Sequence, residues 1–276
     1  MKELSISIVL YKTPLKQIER CINCLLPYNK IADLYLIDNS PKRDLEKVKN
    51  LFQGAKYVFL NSNQGYARGH NVSLRLASKS KCKYHLILNA DCYFDHSIIK
   101  DLISIMDKNK KTGLIMPKIL NPDGSIQMLC KLIPKPIDLL TSYLLKIIGI
   151  NSFKAKHVMS ESTHSKISLV PYLSGCFMFI RWETLKDIGF FDNRFFMYGE
   201  DIDLSRRIAE KYLTIYLPKY YVYHDHGKGS FKSFRIFLIH IKNIIIYFNK
   251  WGWIFDKKRK EINYKSKKFN SRDFIT

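Results

Sequence analysis

Three carboxylates lie close together in the second half of the chain. Glu200, Asp201 and Asp203 follow an aromatic run and precede two arginines in the stretch FFMYGEDIDLSRRI. Carboxylates beside packed aromatic side chains are costly unless they are paired or perform chemistry. The dipole of a helix N-terminus holds a carboxylate in its charged form, which is the form that can take a proton from a hydroxyl group. Asp203, further into the predicted helix, is expected to pair with one of the arginines.

Two further aspartates end short apolar runs. Asp38 lies in LIDNS, where it could accept hydrogen bonds from a nucleobase or ribose, or form an Asx turn. Asp91 lies in LILNADCYF, where it could hold a divalent cation against phosphates or cap a helix. His224 and His226 in YVYHDHGKGS are candidate partners, because imidazole joins carboxylates around ions such as Mn²⁺.

The stretch NSNQGYARGHN (61–71) combines glycines, amides and Arg68 between a predicted strand and a predicted helix. It is typical of a loop that contacts phosphate or a nucleotide. It matches neither GxGxxG nor GxxxxGK[ST], so the sequence does not support a dinucleotide-binding site or a P-loop ATPase.

Strands alternate with helices through the first half, which predicts a mostly parallel, doubly wound sheet with ligands at the carboxyl ends of its strands. The predicted strands are 5–10, 34–38, 57–60 and 85–91, and the predicted helices are 14–26, 42–52 and 66–80. The second half is more mixed. Its predicted elements are a strand, turn and strand (115–126), a helical stretch (136–150), a polar linker (151–168), a strand entering a helix (170–185), a helix (201–211) and a strand (215–227).

The chain of 276 residues has 46% hydrophobic residues, which indicates an ordered globular protein, and a net charge of +22. Such a charge favours a polyanionic partner such as nucleic acid, an anionic membrane or a phosphorylated substrate. Residues 228–272 hold thirteen basic residues against two acidic ones, half of the net charge. A basic groove across the whole fold is therefore not required.

The segment 234–255 is apolar except for a few residues, of which Arg235, Lys242 and Asn249 recur every seven positions. This pattern suits either an in-plane helix at a membrane interface or a helix packed on the main domain. The lysines after it favour an anionic surface. No apolar run is long enough for a transmembrane helix, and no signal peptide is expected at the N-terminus.

The six cysteines do not form a disulfide framework in a chain of this length. Cys21 and Cys24 form a CxxC pair, but the pair lies inside an apolar-periodic segment without further zinc ligands. Buried thiols in a reducing compartment are expected.

In combination, these motifs resemble the inverting family 2 nucleotide-sugar glycosyltransferases with the GT-A fold, and among them the rhamnosyltransferase-like members. The matching stretches are SIVLYKT, LIDNS, NQGYARGHN, LILNADCYF, LSGCFMFIRWETLKDIGFFDNRFFMYGEDIDLSRRI and VYHDHGKGS. The resemblance implies an α/β GT-A domain over 1–230, with a nucleotide-sugar-binding half (1–111) and an acceptor-binding, catalytic half (112–230). Residues 231–276 are then a basic, amphipathic, membrane-associating region.

The resemblance also implies roles for individual residues. Asp201 is the general base and Glu200 orients the acceptor or the base. Asp91 and His224 bind a divalent cation, Mg²⁺ or Mn²⁺, although the motif Asn89-Ala90-Asp91 has one aspartate where the family often has two. The residues implied in binding the nucleotide sugar are Tyr11, Asp38, Asn63, Gly65, Arg68, Asn89 and Asp91.

The function implied is transfer of a sugar, L-rhamnose from dTDP-rhamnose, to a lipid-linked saccharide in bacterial surface polysaccharide synthesis (O-antigen or capsule). The enzyme is then cytoplasmic, peripheral on the inner face of the cell membrane and without a nucleic-acid partner. A UDP-sugar transferase of the same family is the nearest alternative. A basic nucleic-acid-binding protein and a non-catalytic membrane scaffold are alternatives from other classes.

Overall fold

A mixed sheet forms the framework of the chain. The computed structural model describes residues 2–139, 141, 156–225 and 234–274, and within them the sheet has nine strands. The strands are β1 (Leu4–Leu10), β2 (Ala32–Asp38), β3 (Lys56–Phe59), β4 (Tyr84–Asn89), β5 (Cys92–Phe94), β6 (Thr112–Leu120), β7 (Ser168–Leu169), β8 (Phe177–Arg181) and β9 (Leu213–His224). The α-helices are α1 (Leu15–Asn23), α2 (Tyr66–Ala77), α3 (Ile98–Lys108), α4 (Trp182–Ile188), α5 (Glu200–Lys211), α6 (Phe234–Trp251) and α7 (Lys257–Lys268).

The first half is a parallel sheet in the order β3-β2-β1-β4, as predicted. Its strands are rich in fully buried Ile and Leu, the composition expected of parallel strands covered on both faces. The register pairs Leu10 with Asp38 and Val9 with Asn89. The carboxyl ends of β1, β2 and β4 therefore meet at one edge of the sheet.

The second half adds antiparallel pairs to this sheet. Strand β8 runs antiparallel to β4 and β6, while β9 runs parallel to β6. Strand β5 pairs antiparallel with β9, in a register that places Cys92 opposite His224. The end of β9 consequently lies beside the residues that follow β4, and this brings His224 to Asp91.

Some of the predicted elements differ from the structure. The helix predicted over 14–26 ends at Asn23, and Pro27 lies in a separate 3-10 turn. The helix predicted over 42–52 is a 3-10 helix, Glu46–Leu51. The hairpin predicted over 115–126 is one strand and a turn, after which Ile126 forms an isolated bridge. The helix at 136–150 and the linker at 151–168 lie partly outside the described residues.

The C-terminal region packs on the catalytic half through the inner face of α6. Asn243, Ile244, Tyr247 and Phe248 on that face are all buried. The helix ends at Trp251 and not at 255, because Gly252 has a φ of +95°, a common way to end a helix. Of the two alternatives for this segment, the structure has the packed helix. None of the helices that the structure describes is long and apolar enough to span a membrane.

Candidate active site

Asp38 lies at the carboxyl end of β2 and is fully buried. The Ser40 amide donates to its Oδ1 at 2.8 Å, so the predicted Asx turn is present. The Tyr57 hydroxyl donates to its Oδ2, and burial together with this contact raises the pKa of Tyr57. Tyr57 thus fixes the orientation of the carboxylate, a role that no local sequence signal indicates.

The loops after β1 and β2 are joined beside Asp38. The Lys12 amide donates to Ser40 Oγ at 2.9 Å, and the neighbouring Tyr11 is 47% exposed. Asn39 donates through Nδ2 to the Gly65 carbonyl at 3.0 Å. Its Oδ1 is buried, and no described residue donates to it. A buried acceptor of this kind fits an N–H group of a bound nucleotide.

Gly65 joins the loop that begins at Asn61 to the aromatic run before Glu200. Asn63 Oδ1 accepts the Gly65 amide at 3.0 Å, and Gly65 has a φ of +83°. A Cβ at Gly65 would lie 2.3 Å from the carbonyl oxygen of Phe196. That same oxygen accepts the Tyr66 amide at 2.8 Å. The two loops therefore meet through backbone atoms, and only glycine fits at this position.

Arg68 is placed differently from the other predicted nucleotide-site residues. It is exposed and donates through Nε to the Asn193 carbonyl at 3.1 Å. With Leu60 and Gln64 it lines a pocket at the surface of this half. Its assignment to the nucleotide site remains a prediction.

Asp91 and His224 face each other as predicted, with 3.3 Å between Asp91 Oδ1 and His224 Nε2. Asn89 Nδ2 is also 3.3 Å from that nitrogen. Burial opposes a charge on the ring, but Cys176 and Asp91 outweigh it and raise the pKa of His224 to about 9. A divalent cation would take the place of that proton. The second histidine of the motif, His226, lies outside the described residues.

Gln127 orients the imidazole. Its Oε1 lies 3.1 Å from His224 Nδ1, and its Nε2 donates to the His224 carbonyl at 2.8 Å. An amide oxygen only accepts hydrogen bonds, so Nδ1 carries a proton and the neutral ring has its lone pair on Nε2. This is the outer-shell arrangement that metal-binding histidines use. The donor set therefore fits a cation such as Mg²⁺ or Mn²⁺.

The Cys92 thiol lies within 4.8 Å of the Asp91 and His224 ligand atoms. Burial raises the pKa of Cys92 well above its usual range, so the thiol stays protonated. A protonated thiol is a poor ligand for a hard cation. Asp91 and His224 are therefore the fitting ligands in this group.

Replacing Gln127 with Ala is expected to weaken Mn²⁺ binding by about 10–100-fold, because His224 loses its orienting partner. Free Mn²⁺, titrated against protein and nucleoside diphosphate, can be measured by electron paramagnetic resonance. Gln53→Ala, at an exposed position, is the control. An unchanged Mn²⁺ affinity in Gln127→Ala would contradict the role of Gln127.

Glu200 and Asp201 begin α5, as predicted, next to the loop before β8. The Gly175 amide lies 3.3 Å from Asp201 Oδ2, and the Gly199 amide donates to Glu200 Oε2 at 2.9 Å. Burial raises the pKa of both carboxyl groups, and Asp201 further raises that of Glu200. For Asp201, the charge of Lys131 and the Gly175 amide oppose the effect of burial. The two carboxyl groups thus have different surroundings, and it is Asp201 that has a cation and the Gly175 amide favouring its ionised form.

Lys131 and Tyr172 are residues of this site that sequence reasoning missed. Their backbones pair, and Lys131 Nζ lies 4.8 Å from the centre of the Tyr172 ring. Burial raises the pKa of Tyr172 well above its usual range, and the charges of Asp201 and Glu200 raise it further. A cation and an aromatic ring thus lie beside the candidate base. No pattern in the sequence connects position 131 with position 201.

The proton on Glu200 predicts a pH dependence of stability. Its pKa is raised from 4.5 to about 8, so between these pH values the folded protein keeps a proton that the unfolded chain releases. The free energy of unfolding therefore falls as pH rises through this window. In Glu200→Gln this fall should be smaller, as measured by urea unfolding at about pH 5 and about pH 8. Glu183→Gln, at an exposed position, should follow the wild type; equal pH slopes in all three proteins would contradict the prediction.

Asp203 has a structural role, as predicted. Arg207 Nε donates to its Oδ2 at 2.9 Å, while Trp251 Nε1 at 2.9 Å and Lys250 Nζ at 2.7 Å contact its Oδ1. Of the two predicted arginine partners, Arg207 is the one used. Arg206 instead pairs with Asp256.

Helix α6 contacts the loop before the candidate carboxylates Glu200 and Asp201. Tyr198 has a φ of +73°, and its ring stacks on His240 with 4.3 Å between centroids. Asn243 Nδ2 donates to the Met197 carbonyl. A non-glycine residue in this conformation persists where its surroundings enforce it. The C-terminal helix is therefore part of the support of the active site.

The mixed sheet, with the strand ends that lead to Asp38 and Asp91 on one side and the candidate carboxylates of α5 on the other, has the architecture of a glycosyltransferase of the GT-A class. The Glycosyl transferase family 2 model matches residues 5–189, and the chain belongs to that family. As a family 2 member with glycosyltransferase relatives, it is an enzyme that transfers sugars.

Two curated relatives indicate which members of the family this chain resembles. The chain is 27% identical over 220 residues to rhamnosyltransferase WbbL of Escherichia coli, covering 76% of this chain and 79% of WbbL. It is 26% identical over 225 residues to the N-acetylglucosaminyl-diphospho-decaprenol L-rhamnosyltransferase of Mycobacterium tuberculosis, covering 77% and 69%. The predicted resemblance to rhamnosyltransferase-like members of the family is thus confirmed.

A solved structure confirms the fold. GalNAc-T7 with UDP, GalNAc and Mn²⁺ superposes with a TM-score of 0.65 at 17% identity. The match covers 95% of this chain, which spans half the length of GalNAc-T7. At this identity, the likeness supports the GT-A fold alone.

Proposed function

We propose that the protein is an inverting glycosyltransferase that moves L-rhamnose from dTDP-rhamnose to a lipid-linked saccharide in the synthesis of a bacterial surface polysaccharide. One observation carries the mechanism. The Gly175 amide faces Asp201 at 3.3 Å, and the next residue, Cys176, accepts the Asn89 amide through its carbonyl at 2.9 Å. Two consecutive residues thus join the candidate base to the strand end that leads to Asp91.

The reaction proposed is a single displacement at the anomeric carbon. The acceptor hydroxyl gives its proton to Asp201 as its oxygen bonds to that carbon, while the bond to the diphosphate breaks. A divalent cation at Asp91 and His224 would neutralise charge on the departing nucleoside diphosphate. Lys131 helps to keep Asp201 ionised before the transfer.

The donor and acceptor are inferred from the relatives and from the site. Both relatives are named rhamnosyltransferases, and the mycobacterial one is named for a diphospho-decaprenol acceptor. Asn39 Oδ1, beside the buried Asp38, is an acceptor that suits the N–H group of thymine or uracil equally. A UDP-sugar donor is therefore the second candidate. With a lipid-linked acceptor, the enzyme would work at the inner face of the cell membrane.

The test supplies the full chain with Mn²⁺ and a synthetic lipid-diphosphate saccharide. Separate reactions contain dTDP-rhamnose, UDP-glucose, UDP-galactose or UDP-N-acetylglucosamine. We expect a product larger by one rhamnose with the first donor, and thermal stabilisation of the protein by that donor. Transfer from a UDP-sugar alone would establish the second candidate. Retarded migration of nucleic acid, with no transfer or donor hydrolysis, would favour a basic nucleic-acid-binding protein. If the protein shows no transfer, no donor hydrolysis and no nucleic-acid binding, a non-catalytic scaffold is favoured.

A further inference from the structure

Three consecutive apolar residues between α6 and α7 are exposed to solvent. Trp253 is 40% exposed, Ile254 76% and Phe255 92%, and together they form what we call the C-terminal tip. Single exposed apolar side chains are common on protein surfaces, but a contiguous group of large ones marks an interaction site. The tip is such a group.

The outer face of α6 continues this apolar surface. Leu238 is 50% exposed and Ile245 45%, and Lys242 on the same face is also exposed. Positions 238, 242, 245 and 249 follow helical spacing. The Trp253 indole donates to Asn249, so this face leads to the tip. The opposite face of α6 already packs on the catalytic half. The apolar residues on the outer face of α6 therefore take no part in packing this helix on the domain.

The tip is held in place by its neighbours. Trp253 Nε1 donates to Asn249 Oδ1 at 2.8 Å, and the indole lies 5.2 Å from the Phe248 ring, which is buried. Asp256, directly after the tip, is buried and paired with Arg206 at 2.7 Å. Both ends of the tip are consequently anchored to the domain, and Ile254 and Phe255 are displayed on a fixed turn.

Exposed lysines follow the tip along α7. Arg259, Ile262 and Ser266 form the buried face of this helix. Its exposed basic residues are Lys257, Lys258, Lys260, Lys265, Lys267 and Lys268. Basic side chains beside exposed apolar ones complement a surface that is negatively charged outside and apolar within. An anionic lipid bilayer has both properties, and a soluble polyanion has only the first.

We propose that the C-terminal tip inserts into the headgroup region of an anionic membrane, while the α7 lysines lie on its surface. This proposal rests on the proposed function, because a lipid-linked acceptor lies at the membrane surface and the tip would hold the enzyme there. The turn of the tip makes the insertion and the outer face of α6 continues it, while the inner face of α6 stays packed on the domain. Membrane binding is measured without turnover, so it and the sugar transfer can fail separately.

The first experiment is sedimentation of the full chain with vesicles of phosphatidylcholine alone or with about 30% phosphatidylglycerol. We expect binding to the anionic vesicles. Ile254→Ser combined with Phe255→Ser should raise the lipid concentration for half-binding by about tenfold or more. Leu26→Ser, at a 39% exposed apolar position of the nucleotide half, is the matched control and should bind like the wild type. Thermal unfolding and donor hydrolysis check that the variants are folded.

The second experiment follows Trp253 itself, one of three tryptophans. Anionic vesicles should shift its fluorescence to the blue, and brominated lipid should quench it. Both effects should be absent in Trp253→Phe. Replacing Lys257, Lys258 and Lys260 with Gln should weaken binding and its dependence on salt, but leave the blue shift at saturating lipid. Unchanged binding of the tip variant, absence of quenching, or absence of vesicle binding by the wild type would overturn the proposal; the last result would point to a protein partner.

Discussion

Replacing Asp201 with Asn is expected to lower kcat by about 10²–10⁴-fold, because the acceptor hydroxyl loses the group that takes its proton. The change keeps the shape of the side chain, and the remaining amide oxygen can still accept one of the two backbone amides, those of Gly175 and Ile202, that contact the carboxylate. Binding of the nucleotide sugar should remain close to that of the wild type. Single-turnover transfer and calorimetric titration of the donor, both with Mn²⁺, measure the two quantities.

Asp187→Asn is the matched control for this prediction. Asp187 is on α4 in the same half of the protein, and its ion pair with Lys211 is exposed. Its replacement should leave kcat unchanged. Near wild-type turnover of Asp201→Asn would remove Asp201 as the base. A comparable loss in Glu200→Gln, with normal turnover in Asp201→Asn, would assign the proton transfer to Glu200.

Replacing Arg206 with Met is expected to reduce the free energy of unfolding by about 3–5 kcal/mol. Arg206 is 1% exposed and contacts both carboxylate oxygens of Asp256, at 2.7 and 2.8 Å. Its loss leaves the charge of Asp256 buried beside Arg259 alone, at 3.8 Å. Urea unfolding measures the change. The control, Lys211→Met, breaks an exposed pair and should cost less than about 1 kcal/mol.

A double replacement, Arg206→Met with Asp256→Leu, should recover much of the stability, because an apolar pair leaves no buried charge without a partner. A loss below about 1 kcal/mol in the single variant would contradict a buried role for this pair.

The buried pair also bears on how membrane binding should be tested. Deletion of residues 234–276 would be a poor test. That deletion would uncover Arg206 and the surface under Tyr247 and Phe248, so surface variants are the better test.

The positions at strand ends could be predicted from the sequence. Apolar runs that lead to Asp38 and to Asp91 predicted parallel strands, although the second strand ends at Asn89, two residues earlier than predicted. The register of such strands brings their ends together. The start of α5 at Glu200 was predicted to within one residue, because acidic residues favour the first turn of a helix. Local patterns were sufficient for these residues.

The residues that support the site could not be predicted. Gln127 contacts His224, which is 97 positions further along the chain. Lys131 belongs to none of the motifs and pairs with Tyr172 only through an isolated bridge. Buried Ser5 and Ser7 in β1 bond to His85 across the sheet, at 2.7 and 2.9 Å. Such contacts depend on how elements pack, and a single sequence contains no signal for them. The two faces of α6 were ambiguous for the same reason, since both contain large apolar residues.

The contact between Gly65 and Phe196 has a consequence for how donor preference can change. It is made by backbone atoms and by the absence of a side chain at Gly65, and the Asn63 side chain supports it by accepting the Gly65 amide. New side chains at Ser62 and Gln64 can therefore be introduced without separating the loops. Grafting these two positions from another member of the family, with Asn63 and Gly65 retained, would test whether this loop affects donor preference.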